Sequence, residues 1–274
     1  MFKDVKPDAW YYSLVSRFLR MKAVSGYEDN TFKPEEKITR AETLSFIEKY
    51  RTRSAELIKG LLPSIVTIKG RRKNGTGALG SGVILNKDGY IATNCHVAMD
   101  GIDPWANLEV FLDDMPGMGI KANVLYGDYS QDIAIIKINA AAILDLLHPV
   151  SFANKAVELL DEVYCIGNPL GYTDTATRGV ISCVKRKIGN SEWIQTDAAI
   201  NPGNSGGGAF NFMGELVGLP TWVVVWADSE KTIPVNNVGF ITPYYKVQEV
   251  YQKALAGQVA LVGEPVNFRL LEEV

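Results

Sequence analysis

Three side chains in this sequence are of the types, and in the surroundings, that could open an amide bond. Ser205 stands in IQTDAAINPGNSGG, between Gly203-Asn204 and Gly206-Gly207. A serine so flanked can sit on a tight turn with its hydroxyl exposed and neighbouring backbone N–H groups converging on one point, which is how a developing oxyanion is stabilised. The N–H groups of Gly203 and Ser205 are the candidate donors, with Asn204 shaping the turn. A serine hydroxyl is a weak nucleophile at neutral pH and needs a base beside it. His96, upstream in TNCHV, is the candidate base and then the acid for the leaving amine. Asp132, in QDIAIIKI, is the candidate for holding the imidazole in the correct tautomer. A glycine-rich loop alone reads as a turn; it is the three motifs together that carry the chemistry. The other histidine, His148 in LDLLHPV, reads as a helix-end residue. Cys95 beside His96 reads as a small packing residue rather than a second nucleophile.

The elements that must position these groups begin near Ser64. SIVTIKG, SGVILN, YIATN, LEVFLD, DIAIIKI, VYCIG, GVISCV, ELVGLP and TWVVVWA are short apolar runs separated by Gly, Asn, Asp and Pro, the signature of a β-barrel or sandwich. The last run is expected to wall a cleft rather than form an exposed edge. Residues 1 to 54 differ. Trp10, Tyr11, Leu14, Val15, Phe18 and Leu19 recur at helical spacing before Gly26. Thr39 with Glu42 three residues on forms a capping box for a second helix, whose packing face is Ala41, Leu44, Phe46 and Ile47. YRTRSAELIKGL continues as a helical connector. Two helices make a small core, so this segment is expected to be docked or oligomerised.

The chain order His, Asp, Ser is that of chymotrypsin-type enzymes. GSG at Gly80 to Gly82, DGYIATNCHV, SQDIAIIKI, YCIGNPLG, RGVISC, IQTDAAINPGNSGG and NVGFITP run in the order found in the HtrA/DegP-like branch of trypsin-like serine proteases, which residues 60 to 260 resemble. The resemblance implies a mainly β fold, a double six-stranded barrel with the active site in the cleft between barrels and a closing helix around 243 to 256. Two departures are Cys95 and Thr242, and no PDZ domain follows the protease segment. Digestive relatives carry Asp before the serine and pair it with a new N-terminal amine; Asn204 is uncharged, so activation is expected to act through loops around 168 to 178 and 197 to 204. The resemblance puts Ile200 at the base of the substrate pocket and Val223 and Val224 on its wall, beside a Trp222 larger than expected there. Such a pocket favours small aliphatic residues.

FKDV at Phe2 to Val5, Trp10, GYEDNTFKP and ITRAE closely resemble one S-layer homology module. This implies a bacterial surface location and binding of secondary cell-wall polysaccharide, with Arg40 a candidate glycan contact because a planar guanidinium suits a pyruvyl carboxylate. The implied organisation is a module at 1 to 54, a connector at 55 to 63, a protease domain at 64 to 262 and a tail at 263 to 274. Since such modules usually work in threes and HtrA-like proteases are commonly trimers, a homotrimer is expected.

Composition is that of a globular chain, 47% hydrophobic and 22% charged over 274 residues. The net charge of -3 argues against nucleic acid as a partner. The basic clusters Lys69-Arg71-Arg72-Lys73 and Lys185-Arg186-Lys187 read as solvated loops. Apolar runs are too short for a membrane span, and MFKDVKPDAW lacks the pattern of a signal peptide, so a leader is expected either to have been removed or never to have existed. Three cysteines argue against a disulfide scaffold, a Cys165–Cys183 pair being the lesser reading. The chemistry calls for no cofactor or metal, and protein or peptide substrates are the expected partners. The competing reading is a wall-binding scaffold that keeps a protease fold without catalysis.

Overall fold

The computed structural model describes residues 2–20, 24–168, 175–188, 190–224 and 235–264. Parts of three sequence features lie outside the described residues: 169–174 of the activation loops, 225–227 of TWVVVWA and 265–274 of the tail. The chain divides into two compact units, Met1–Gly60 and Leu61–Val274.

In the first unit, α1 (Tyr12–Arg20) and α2 (Arg40–Leu61) are joined by a loop folded around one carboxylate. Asp4 accepts the N–H groups of Phe32 at 2.8 Å and Lys33 at 2.7 Å, tying FKDV to the TFKP turn. Desolvation acts to raise the Asp4 pKa, but these two hydrogen bonds outweigh it and hold the group below its ordinary value. Phe2 stacks on Phe32 with centroids 5.4 Å apart, and a Cβ at Gly26 would lie 2.1 Å from the Phe2 ring, so only glycine fits there. The capping box forms: Thr39 N–H donates to Glu42 Oε2 at 2.8 Å, and Glu42 N–H to Thr39 Oγ1 at 3.2 Å. α2 runs on into the expected connector as far as Leu61, where the 3-10 helix Leu62–Ser64 follows. Two expectations fail in this unit. Trp10 precedes α1 and is 80% exposed, and the expected packing residues Leu44 and Ile47 face solvent. Val5, Val15 and Val24 are buried instead, a core too small to cover both helices.

The second unit is two closed barrels. The first contains β1 (Ile65–Arg71), β2 (Gly77–Ile84), β3 (Tyr90–Thr93), β6 (Asn107–Phe111), β7 (Ile120–Asp128) and β8 (Ile133–Ile138), with the short strands β4 (Met99–Asp100) and β5 (Asp103–Pro104) paired beside it. The second follows β9 (Ser151–Phe152) and contains β10 (Glu162–Gly167), β11 (Thr175–Ile188), β12 (Ser191–Thr196), β13 (Gly208–Asn211), β14 (Glu215–Val223) and β15 (Gly239–Pro243). Strand order is β7-β6-β1-β2-β3-β8, closed by β7 on β8, and β13-β10-β11-β12-β15-β14, closed by β13 on β14. β16 (Ala260–Val262) adds in parallel to β7, and β9 to β14. Closure removes the edges that apolar strands such as IAIIKI and ELVGLPTWV would otherwise expose. The first interior is filled by Val66, Ile68, Ile84, Ile91, Val110 and Ile136, the second by Val163, Cys165, Ile181, Ile194, Ala209 and Ile241. Helix α3 (Cys95–Ala98) follows β3 and packs on the first barrel, and α4 (Tyr244–Leu255) packs on β7, β8 and β14.

Lys185-Arg186-Lys187 lies on β11, correcting the loop reading there, while the first cluster is divided: Lys69 and Arg71 are on β1, and Arg72 and Lys73 are in the turn that follows. Arg72, just past β1, grips Asp100 through Nε at 2.7 Å and Nη2 at 2.5 Å. On β11, Lys185 pairs with Glu192 at 3.1 Å. The three cysteines are free thiols, so the lesser disulfide reading falls away; burial pushes the Cys165 thiol up to about 12. His148 is exposed just past the short 3-10 helix Leu144–Leu146. Among the described residues, no helix is long and apolar enough to cross a membrane.

Candidate active site

Each catalytic candidate sits where one element ends. β3 runs into α3, whose N-cap is Asn94, and this places His96 at the barrel rim. Asp132 occupies the turn between β7 and β8 at φ 52, a left-handed conformation that Asp tolerates better than bulkier residues. Its two carboxylate oxygens are both used on one residue. Oδ2 lies 2.6 Å from His96 Nδ1, and Oδ1 accepts the His96 backbone N–H at 3.0 Å. This two-point grip fixes ring and backbone together and puts the Nδ1 proton on the side of Asp132, leaving Nε2 to serve as the base.

Behind Asp132 lies a buried polar network. Asn94 Nδ2 donates to the Asp132 carbonyl at 2.7 Å and to Thr221 Oγ1 at 3.2 Å. Thr221 Oγ1 lies 2.8 Å from Thr242 Oγ1, which itself reaches the Gln131 carbonyl at 3.3 Å. Thr242, one of the departures from the family pattern, therefore braces the aspartate turn from β15. Cys95 is buried and donates Sγ–H to the Ile133 carbonyl at 3.0 Å. Burial, together with the carboxylates of Asp132 and Asp128, raises its pKa well above the ordinary thiol value, so it stays protonated and packs as expected.

The His96 side chain is 42% exposed. Partial desolvation acts to lower its pKa, but the charge of Asp132 and the hydrogen bond to it outweigh this, and the net shift is upward from 6.5.

The serine loop is held by its carbonyls. The Asn204 N–H donates to the Asn201 carbonyl at 2.9 Å, Gly207 N–H to the Asn204 carbonyl at 2.9 Å, and Gly206 N–H to the Pro220 carbonyl at 3.0 Å. Gly203 and Gly206 adopt φ 103 and 80, and a Cβ at Gly206 would lie 2.2 Å from Thr93 Oγ1. Only glycine allows that approach. No hydrogen-bond partner is recorded among the described residues for the N–H groups of Gly203 and Ser205, the two candidate oxyanion donors. The Asn204 side chain is fully buried, and among the described residues neither of its amide atoms has a hydrogen-bond partner. The Ser205 hydroxyl donates to the Thr221 carbonyl at 3.2 Å, and among the described residues no hydrogen bond joins it to His96.

Sequence reasoning missed Ser81, Thr93, Asn94 and Thr221 as parts of this site. GSG and TNCHV were read as motifs, but the spacing of a motif does not say which of its polar residues turn inward.

Of the pocket candidates, Ile200 is buried in the second barrel's core, where its side chain crowds Gly239, and Val223 packs against the same cluster. Val224 is half-buried and its N–H donates to the Val238 carbonyl at 3.0 Å. Trp222 turns into an aromatic stack, 4.1 Å from Phe240 and edge-on to Trp193 at 6.0 Å, which accommodates its bulk. In the first unit a cavity of about 410 Å³ is lined by Tyr27, Phe32, Lys33, Lys37, Phe46 and Lys49 among others. Arg40, exposed at the first residue of α2, is not among its lining residues.

Residues 80–219 match the trypsin-like peptidase domain and residues 2–44 the S-layer homology domain. A probable periplasmic serine endoprotease, DegP-like, of Buchnera aphidicola subsp. Baizongia pistaciae is 38% identical over 201 residues, covering 69% of this chain and 40% of that protein. The serine endoprotease DegS of Salmonella typhimurium is 32% identical over 209 residues, 72% of this chain and 56% of the relative. The chain thus spans less than two thirds of the length of these relatives. The crystal structure of a serine endoprotease from Yersinia pestis superposes with a TM-score of 0.61 at 31% identity, covering 74% of this chain and 66% of that one.

Proposed function

Because the chain belongs to the trypsin-like peptidase family, in its HtrA/DegP-like branch, and carries an N-terminal S-layer homology domain, we propose that it is a serine endopeptidase attached to the bacterial cell wall. The observation that carries the reading is the double grip of Asp132 on His96, set beside a Ser205 loop whose Gly203 and Ser205 N–H groups have no partner among the described residues. In the reaction, His96 Nε2 takes the Ser205 proton as Oγ attacks the substrate carbonyl, and Asp132 stabilises the resulting imidazolium without taking its proton. The tetrahedral oxyanion receives the N–H groups of Gly203 and Ser205. His96 then protonates the departing amine, leaving an acyl-enzyme that water hydrolyses by the same steps in reverse. For this, the Ser205 hydroxyl rotates away from the Thr221 carbonyl, a side-chain rotation that substrate binding can drive.

The substrates are proteins, cut after small aliphatic residues, a reading supported by the apolar surroundings of Ile200 and Val223. Attachment is to secondary cell-wall polysaccharide through the first unit. Lys33, Lys37 and Lys49 line its cavity together with Glu36 and Glu42; Lys33 pairs with Glu36 at 3.5 Å, which leaves Lys37 and Lys49 as the cations offered to an anionic glycan, with Arg40 as a contact outside that lining. The chain works as a homotrimer at the cell surface.

A fluorophosphonate probe tests the catalytic reading. Wild-type protein should be labelled at one serine and Ser205→Ala should not be. A folded wild-type protein that resists the probe and leaves unfolded casein intact would establish the non-catalytic scaffold instead.

A further inference from the structure

Ser81 is fully buried on β2, in the first barrel, yet every group it offers is engaged at the serine loop or beside it. Its hydroxyl donates to the Gly203 carbonyl at 2.6 Å, and its backbone N–H donates to the Ser205 carbonyl at 2.9 Å. One residue of the first barrel therefore pins the carbonyls on both sides of Asn204 in the second. The hydroxyl oxygen also accepts the Asn168 N–H at 2.8 Å. Asn168 is itself buried, and its Nδ2 returns to the first barrel at Thr67 Oγ1, 2.7 Å away. Thr67 is the cross-strand partner of Ser81 in the β1–β2 ladder. The Ser81 carbonyl is held in turn by Thr93 Oγ1 at 2.6 Å, on the strand that leads to His96.

A trans peptide points its C=O and N–H in opposite directions. The Asn204 carbonyl is engaged by Gly207, so the Ser205 N–H points the other way. The Gly203 carbonyl sets the torsion that relates the Gly203 N–H to that of Ser205. The Asn204 N–H of the same peptide donates to the Asn201 carbonyl at 2.9 Å, so the Ser81 hydroxyl is the second of two bonds that fix this plane, and glycine at φ 103 has no Cβ to restrict it. We propose that Ser81 is a positioning residue for the oxyanion hole: its hydroxyl, anchored through Asn168 and Thr67, holds the Gly203 carbonyl so that the Gly203 and Ser205 N–H groups converge. This rests on the endopeptidase reading.

The test compares full-length wild type with Ser81→Ala, Ser81→Cys and Thr67→Val. Turnover of a chromogenic peptide, inhibition by a peptidyl boronic acid and the melting temperature are measured on each. Removing an oxyanion donor costs about a hundredfold to a thousandfold; loosening one should cost less, about tenfold to a hundredfold in kcat. Ser81→Ala is expected to show that loss with KM within about twofold, and boronate affinity should fall by the same factor as kcat. Ser81→Cys, which keeps a weak donor, should recover part of it, and Thr67→Val, which removes only the outer anchor, should fall between wild type and Ser81→Ala. Should Ser81→Ala fail to fold, the cysteine and valine variants carry the same comparison. Folded variants with wild-type kcat, or a rise in KM without loss of boronate affinity, overturn the proposal while leaving the peptidase reading intact. A wild-type protein with neither turnover nor boronate binding overturns both.

Discussion

At the level of single residues, His96 reports most directly on how the site is tuned. Its pKa is raised because Asp132 favours the imidazolium by more than partial burial disfavours it. The base must be neutral to accept the serine proton, so activity should rise with pH along a limb centred above 6.5. Asp132→Asn removes both influences that raise the pKa and leaves the desolvation that lowers it. The limb should then move below that of wild type while kcat falls about a thousandfold or more, since the misheld tautomer no longer presents Nε2 as a base. Stability should respond with a related sign. A raised folded pKa gives His96 a stabilising contribution that is fully present below the unfolded pKa and is lost as pH rises through the folded one. A pH–rate profile of kcat/KM for both proteins checks the prediction, and an acid limb at the same pH in both would refute it.

Elements decide what the sequence could and could not disclose. The candidate catalytic residues are legible because each stands in its own motif, and β8 is legible because IAIIKI is a dense β-branched run. β7, β12 and β13 were not read as strands. In IKANVLYGD the apolar residues are spaced out by lysine, asparagine and glycine; SEWIQT runs into the serine motif; and GAFN is too short to show a period. Closing a barrel needs these strands, but closure is a property of pairing and leaves little trace in any one segment. Trp222 was misjudged for the same reason: only the approach of β12 and β15 brings Trp193 and Phe240 to its faces. These elements also set the specificity expectation. Ile200 follows β12, Val223 ends β14, and Gly239 opens β15 against Ile200, a grouping that among the described residues is apolar and holds no counter-charge for a basic substrate side chain. Peptide-library profiling should show cleavage after Val, Ala or Ile, with discrimination among them of about 1 to 3 kcal/mol per methylene and negligible cleavage after Lys or Arg, whose charge would be desolvated unpaired. A dominant basic preference would refute this account of the pocket.

For the whole molecule, the open question is what covers the first unit. Among the described residues its buried apolar side chains are the small Val5, Val15 and Val24, while Trp10, Ile38, Leu44 and Ile47 are all more than half exposed. A sixty-residue unit of this kind sits near the lower limit at which a core alone sustains a fold, and it carries more apolar surface than an isolated surface helix needs. Further copies of the same unit would cover that surface with closed symmetry, and three linked copies would strengthen attachment to a repetitive wall polymer through effective concentration rather than through new contacts. The homotrimer reading therefore makes assembly and attachment depend on the same residues. Light scattering after size exclusion should report about three times the 30.1 kDa chain mass. Removal of residues 1 to 54 should lower both that mass and the retention on purified cell wall, and Leu44→Glu with Ile47→Glu should do so without removing the helix. A monomer that held the wall as tightly as the intact protein would separate the two properties and defeat the reading.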